Sequence, residues 1–401
     1  MPGPLAGIRI LDLTSMISGP FATLTLADQG AEVIKIERPD GGDHARKVSG
    51  RRGGFSASFL QNNRNKRSVA LDLKRPEAVE AALRLAERVD VVVQNFRPGV
   101  AERMGLGEAA VRSRNRSVVY CSISGFGDGG PYVHKPVYDP LIQALSGLAT
   151  VQGGSDDIRP RLVRTILPDK LTGLQAAQAI TAALLARART GEGSHVRLSM
   201  LDTVVAFLFA SDMSGHTFVG DEVPDVRAQS FVELIYASKD GYLAVSAYAD
   251  RDWQGLARAL ARPDWLEDPR FATVVGREEN KTARLELTQA ELARYTTEEC
   301  LRRLEAEDVP CAPVLTRAEM LRHPQIAANR LVVQVEHPDA GPIRQSRPPA
   351  RFSDEDFAPP RPAERLGAST AAVLAEAGYP PEEIARLVDA GAATAPREAA
   401  E

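Results

Sequence analysis

The sequence predicts an α/β fold, doubly wound around a mostly parallel sheet. Two observations carry this: short runs rich in Val and Ile recur through the first third of the chain, and helical patterns separate them. Strands apolar on both sides must be covered on both faces, and helices crossing over a parallel sheet provide that cover.

The elements follow in order. Ile8–Leu13 reads as the first strand and Gly19–Asp28 as a helix opened by Gly-Pro. Val33–Ile36, Ser68–Leu73, Val89–Val93 and Val118–Ile123 read as further strands, with a helix opened by Pro76 between the second and third of these. A glycine-rich turn, Gly125–Pro131, precedes an apolar helix near Pro140–Ala149. Arg161–Ile166 reads as extended, then a long helix runs from Leu171 to Arg189 and stops at Thr190–Gly193. His195–Leu198 reads as a strand, followed by a buried helix through Phe207–Phe209.

Gly220–Ala228 is polar and contains proline, marking a candidate domain boundary. Beyond it, Ile235–Ser238 and Tyr242–Ser246 flank an Asp-Gly turn and read as a hairpin. Helices are expected near Trp253–Leu260, Arg277–Ala293 and Thr297–Glu305, and a short strand over Val309–Val314. Pro338–Pro362 reads as irregular, Ala371–Ala377 and Pro381–Ala390 as short helices, and the end after Ala392 as frayed.

The 401 residues suffice for two domains or for one large domain with an insertion. The 49 basic and 53 acidic residues nearly cancel, which argues against a nucleic-acid or membrane-surface protein. Three cysteines form neither an even framework nor a C-x-x-C pair, as befits a reducing compartment. The N-terminus has no signal-peptide pattern and the apolar stretches are short or broken, so a cytoplasmic protein is expected.

Gly125–Gly130 matches G-x-G-x-x-G after a strand, but Pro131 and the residues after it do not open a helix, so the dinucleotide context fails. A flexible turn fits better, or a loop that covers a reactive intermediate. The six histidines are scattered without metal-ligand spacing, and neither a P-loop nor a G-x-S-x-G elbow is present. Asp169 follows Pro168 just before the long helix. Its position suits an N-cap, and the helix dipole would hold it ionised by ~0.3–1 kcal/mol. An ionised, oriented carboxylate is also what a carboxylate nucleophile must be. Arg38 follows the second strand, and Asn95 and Arg97 the fourth, at the carboxyl ends where open α/β sheets bind ligands. With Lys74 and Arg103 nearby in the chain, they form a candidate phosphate-binding set or a solvated charged surface.

Pro4–Leu13, Gly19-Pro20, Gly30–Pro39, Asn63–Ser68, Asn95–Gly99 and Arg103–Leu106 together resemble the class III CoA-transferases. This is the family of formyl-CoA:oxalate and carnitine CoA-transferases, related to α-methylacyl-CoA racemase. Ser124–Gly127, Thr190–Gly193, Lys239–Tyr242 and Val309–Val314 extend the likeness over nearly the whole chain.

The resemblance implies an interlocked homodimer whose subunits each combine a Rossmann-like large domain with a smaller α+β domain. Residues 1–219 and the returning segment 329–401 would form the large domain, and 220–328 the small domain with its linker. It implies a CoA-transferase with Asp169 as catalytic residue. CoA contacts would fall to Met16, Ile17, Arg38, Leu71, Lys74, Asn95, Phe96, Arg103 and Tyr138. The substrates would be an acyl-CoA donor and an acceptor carboxylic acid, with no permanently bound cofactor and no metal. Arg46 and Arg164 are candidates for the acceptor's carboxylate, or simply surface charge. Ile17 replaces a glutamine of the formyl-CoA enzymes, and their glycine-only loop is absent, which argues against an oxalate acceptor. The alternative is a 2-methylacyl-CoA racemase or epimerase. That branch's histidine aligns with Tyr138, and its glutamate falls near Ala249-Asp250 without a clear equivalent, so transfer is favoured.

Overall fold

The computed structural model describes residues 3–48, 50–154, 156–220, 234–352 and 360–395. The chain divides into two compact units, Met1–Gln229 with Arg330–Glu401, and Ser230–Asn329. Most of the expected boundary at Gly220–Ala228 lies outside the described residues.

The larger unit is built on six parallel strands: β1 (Arg9–Asp12), β2 (Glu32–Glu37), β3 (Lys66–Leu71), β4 (Val91–Gln94), β5 (Val119–Ser124) and β6 (His195–Ser199). Their spatial order is 3-2-1-4-5-6, the doubly wound order of dinucleotide-binding folds. The order reverses between β1 and β4, which opens a crevice at the carboxyl ends of the strands. Alternate residues of each strand feed two separate cores. Leu11, Ile34, Val69, Val92 and Tyr120 pack on one face with Ala78, Ala82 and Leu85 of α2 (Pro76–Ala86). Ile10, Val33, Val91, Val93 and Val119 pack on the other, with Ala22 and Leu26 of α1 (Ser18–Ala27). This double burial is why the strands read as continuous apolar runs.

A long helix, α5 (Leu167–Thr190), lies on the α1 face with Ala176, Ala177 and Ile180 in the same core. The two helices approach so closely that a Cβ at Gly173 would stand 2.7 Å from the Ser18 carbonyl oxygen. Before it, the expected single helix near Pro140–Ala149 is two, α3 (Asp139–Leu145) and α4 (Leu148–Gly153). Gly147 separates them with φ +87°, a left-handed conformation that glycine adopts freely. After β6, α6 (Met200–Phe209) is only partly buried: Phe207 and Phe209 are exposed, against expectation.

Other departures are at the chain's end. Ala393–Thr394, expected to fray, adds an antiparallel edge strand to β3. Within the stretch expected to be irregular, Gly341–Ser346 pairs with Val332–His337 as a hairpin. The edge strand pairs with a segment far back in the chain, which no local pattern signals, whereas the hairpin carries a β-branched run in Val332–His337, with Pro338 and Pro342 around its turn.

In the smaller unit, Ile235–Ala237, Tyr242–Val245 and Cys311–Pro313 form a three-stranded antiparallel sheet. Trp253 stacks on Trp265 at its core. The expected helix over Arg277–Ala293 is two, Val274–Glu279 and Lys281–Leu292.

Gly173→Ala should cost about 1–3 kcal/mol by forcing α5 off α1. A lowered urea midpoint at unchanged m-value checks this.

Candidate active site

The turn from β1 into α1 is held from both sides. Asn95, just past β4, donates from Nδ2 to the Ser15 carbonyl (2.8 Å) and accepts from the Ser15 N–H at Oδ1 (3.0 Å). Met16 sits at φ 69°, a costly conformation for a side chain with a Cβ. Its N–H donates to Asp43 Oδ1 (3.0 Å), and Asp43 is in turn paired with the buried Lys35 (3.1 Å). Asn95 and Met16 were expected to touch CoA; the structure gives Asn95 the further task of clamping the turn.

The turn ends at Ser18, which faces Asp169. Asp169 is not the N-cap of the long helix. The helix starts at Leu167, four residues earlier than expected, because Pro168 suits a first turn and an outside group caps it. That group is Asp139, whose Oδ2 accepts from the Asp169 N–H (3.3 Å). The buried Asp139 also accepts from Gln143 Nε2 (2.6 Å). Gln143 Oε1 accepts from the Val163 N–H (2.9 Å), fixing the irregular segment that leads into α5.

Burial pushes the Asp169 carboxyl up to about 6, the Asp139 carboxylate pushes the same way, and the Ser18 hydroxyl and N–H pull back. The helix dipole therefore does not dominate, contrary to the sequence-based expectation. The group is mostly ionised at neutral pH yet more basic than a surface carboxylate, which favours nucleophilic attack.

Sequence reasoning missed Asp139 and Gln143 as supports of Asp169. Their spacing of four within a helix opened by Asp-Pro was the available signal.

A pocket of about 220 Å³ opens at the carboxyl ends of β1, β2 and β3. It brings together Arg38, Leu71, Lys74 and Phe96 of the expected CoA contacts, and Ser15 from the clamped turn. His44 and Met104 line it as well. Arg38 uses Nε on the Gly42 carbonyl (3.0 Å), while Lys74 is exposed. Arg103 is exposed next to Met104 on a short helix, outside the lining itself. Ile17 lies at the N-cap of α1, and Tyr138, 70% exposed, stands at the N-cap of α3 beside Asp139. Ser15 lines the pocket and Ser18 meets Asp169, so at most about 11 Å of chain separates the two.

The structure separates the two arginines proposed for an acceptor. Arg46 is buried, with Nε and Nη2 each 2.7 Å from Glu37 and its plane over Phe59. A free carboxylate would have to displace Glu37, so Arg46 is a structural residue. Arg164 is exposed on the segment before α5. Among the described residues no group of three or more His, Cys, Asp or Glu is placed to hold a metal ion, and no helix is long and apolar enough to cross a membrane.

Comparison with known proteins identifies the family. The family model described as CoA-transferase family III matches residues 5–370. Succinyl-CoA:glutarate CoA-transferase of Mus musculus is 34% identical over 384 residues, covering 93% of this chain and 86% of the mouse protein. Formyl-CoA:oxalate CoA-transferase of Escherichia coli O157:H7 is 34% identical over 418 residues, covering 96% and 99%. The crystal structure of Rv3272 from M. tuberculosis, orthorhombic form, superposes with a TM-score of 0.80 at 33% identity over 92% of this chain and 99% of that one. A CAIB/BAIF family protein from Brucella suis gives a TM-score of 0.80 at 30% identity, over 94% and 100%. The open, doubly wound sheet is shared with these solved structures, and the chain is a class III CoA-transferase that belongs to CoA-transferase family III.

Proposed function

We propose that the chain is a cytoplasmic, interlocked homodimer that moves CoA from an acyl-CoA to a carboxylic acid through covalent intermediates on Asp169. One observation carries this reading: a basic, half-buried carboxylate stands three residues of chain away from a pocket at the carboxyl ends of the strands that holds Arg38 and Lys74. The pocket takes the nucleotide end of CoA, with Arg38 and Lys74 toward the phosphates, and the turn Ser15–Ser18 guides the thiol end toward Asp169.

An Asp169 oxygen attacks the thioester carbonyl and expels CoA thiolate, leaving an acyl–aspartyl anhydride. The thiolate attacks the aspartyl carbonyl of that anhydride and releases the donor acid as carboxylate, leaving aspartyl-CoA thioester. The acceptor carboxylate attacks this thioester, expels the thiolate and forms its own anhydride with Asp169. Attack of the thiolate on the acceptor's acyl carbonyl gives the new acyl-CoA and frees Asp169. One thioester replaces another, so the enzyme supplies a path and excludes water. The first turn of α1 leaves the Ser18 and Gly19 N–H groups without helical acceptors. Each can stabilise an oxyanion, a contribution of roughly 3–4 kcal/mol for such donors.

Relatives named for succinyl-CoA and glutarate support a dicarboxylic acceptor, whose distal carboxylate would meet Arg164. The homodimer is supported by exposed apolar side chains on three mutually packed helices: Leu141 and Leu145 of α3, Leu174 and Leu185 of α5, Phe207 and Phe209 of α6.

Incubation with an acyl-CoA should leave CoA on the peptide containing Asp169, detected by mass analysis. An adduct that persists in Asp169→Ala would reject the mechanism. The acid limb of kcat/KM should lie near pH 6, because protonation removes the nucleophile. Asp139→Asn removes the like charge, so the limb should move to lower pH; an unmoved limb would show that Asp139 does not tune Asp169. Arg164→Gln should raise KM for glutarate about tenfold, and an unchanged KM would remove Arg164 from the acceptor site.

A further inference from the structure

A polar strip crosses the sheet on the face that bears the pocket. Gln94 at the end of β4 is in register with Ser122 of β5, and His195 of β6 with Tyr120. Gln94 Oε1 accepts the Phe96 N–H (2.7 Å), which turns its amide nitrogen onto Ser122 Oγ (3.0 Å). Ser122 Oγ also shares a hydrogen bond with His195 Nε2, 2.8 Å away. The His195 ring also stands edge-on to Tyr120, centroids 5.2 Å apart at 89°, and the Tyr120 hydroxyl donates to the Leu106 carbonyl (2.8 Å).

Two branches therefore leave His195, one ending at the Phe96 backbone on the pocket wall and one at Leu106, two residues along the chain from Met104 of that wall. Nothing in the transfer chemistry needs a polar chain on a sheet face whose buried side chains are otherwise mainly apolar. Burying Gln94 there is costly unless its amide is satisfied at both ends, as it is. Burial also draws the His195 ring down from its ordinary range, toward the neutral form.

We infer that His195 is a positioning residue for CoA binding, acting through Ser122 and Gln94 on Phe96 and through Tyr120 on Leu106. The inference rests on reading the pocket as the nucleotide site. His195 touches neither substrate nor Asp169, so its loss moves binding of CoA and leaves the chemical step.

The test is CoA affinity by calorimetry and turnover at saturating acyl-CoA, on the full chain, for His195→Leu, His195→Gln, Ser122→Ala and Ser122→Thr. His195→Leu and Ser122→Ala should each raise Kd for CoA roughly three- to tenfold, the range of one hydrogen bond. His195→Gln, whose amide reaches the Nε2 position, and Ser122→Thr, which keeps the hydroxyl, should restore most of it. Saturated turnover should change less than Kd in every variant. Equal Kd in His195→Leu and the parent overturns the inference, as does an equal loss in His195→Leu and His195→Gln, which would mean packing alone. If Ser122→Ala does not fold, the comparison of the two His195 variants decides. A parent protein that binds no CoA would instead refute the pocket's assignment.

Discussion

Everything at the candidate site hangs on charges buried beneath the turn between β1 and α1. Lys66 Nζ lies 3.1 Å from Asp12 and donates to the Pro20 carbonyl (2.8 Å), tying β3 to the start of α1. Lys35 lies 3.1 Å from Asp43 and donates to the Thr14 carbonyl (2.7 Å), tying β2 to the turn itself. All four side chains are buried. Burial alone would push Asp12 up, but Lys66 and Lys35 together hold it far below the usual carboxylate range. Removing one member of such a pair costs about 3–5 kcal/mol, because the other is left as a lone buried charge. An apolar cluster of equal volume would be as stable. It would not hold Met16 at its unusual φ, because that requires a specific acceptor, Asp43, at a specific place.

The same rigidity explains how an ordinary aspartate acquires a basic carboxylate. Two helices converge on Asp169: its own, α5, and α1 with Ser18 at its start. Gly173 allows the helices to pack closely enough to exclude water from between them. Desolvation and the neighbouring Asp139 raise the proton affinity, while Ser18 supplies enough donors to keep the ionised form accessible. A deeper burial would leave the group protonated at neutral pH. A shallower one would leave it a weaker nucleophile, open to solvent.

Much of the architecture was legible in the chain. The six parallel strands and the helices at Pro76 and Thr297 follow from apolar runs, proline and capping residues, all local signals. The edge strand at Ala393 was not legible, since its partner lies far back in the chain; the hairpin at Gly341 was missed although Val332–His337 carries a β-branched run, because Pro338 and Pro342 flank its turn. The site divides in the same way. Arg38, Leu71, Lys74 and Phe96 were placed by motif, and all line one pocket. Arg46 has the charge of a carboxylate-binding residue, but Glu37 occupies it, and a partner 9 residues back carries no local signature.

Residue order alone determined most of the strands and helices and placed Asp169 near the start of the long helix, because those properties depend on neighbours within a few positions. The basicity of Asp169, the clamp of Asn95 on Ser15 and the strip from His195 to Phe96 were decided only on folding. Each joins groups 30 to 80 residues apart or more, as with Asp139, Ser15 and His195. Electrostatic strength depends on distance and on exclusion of water, and neither exists until the layers have packed.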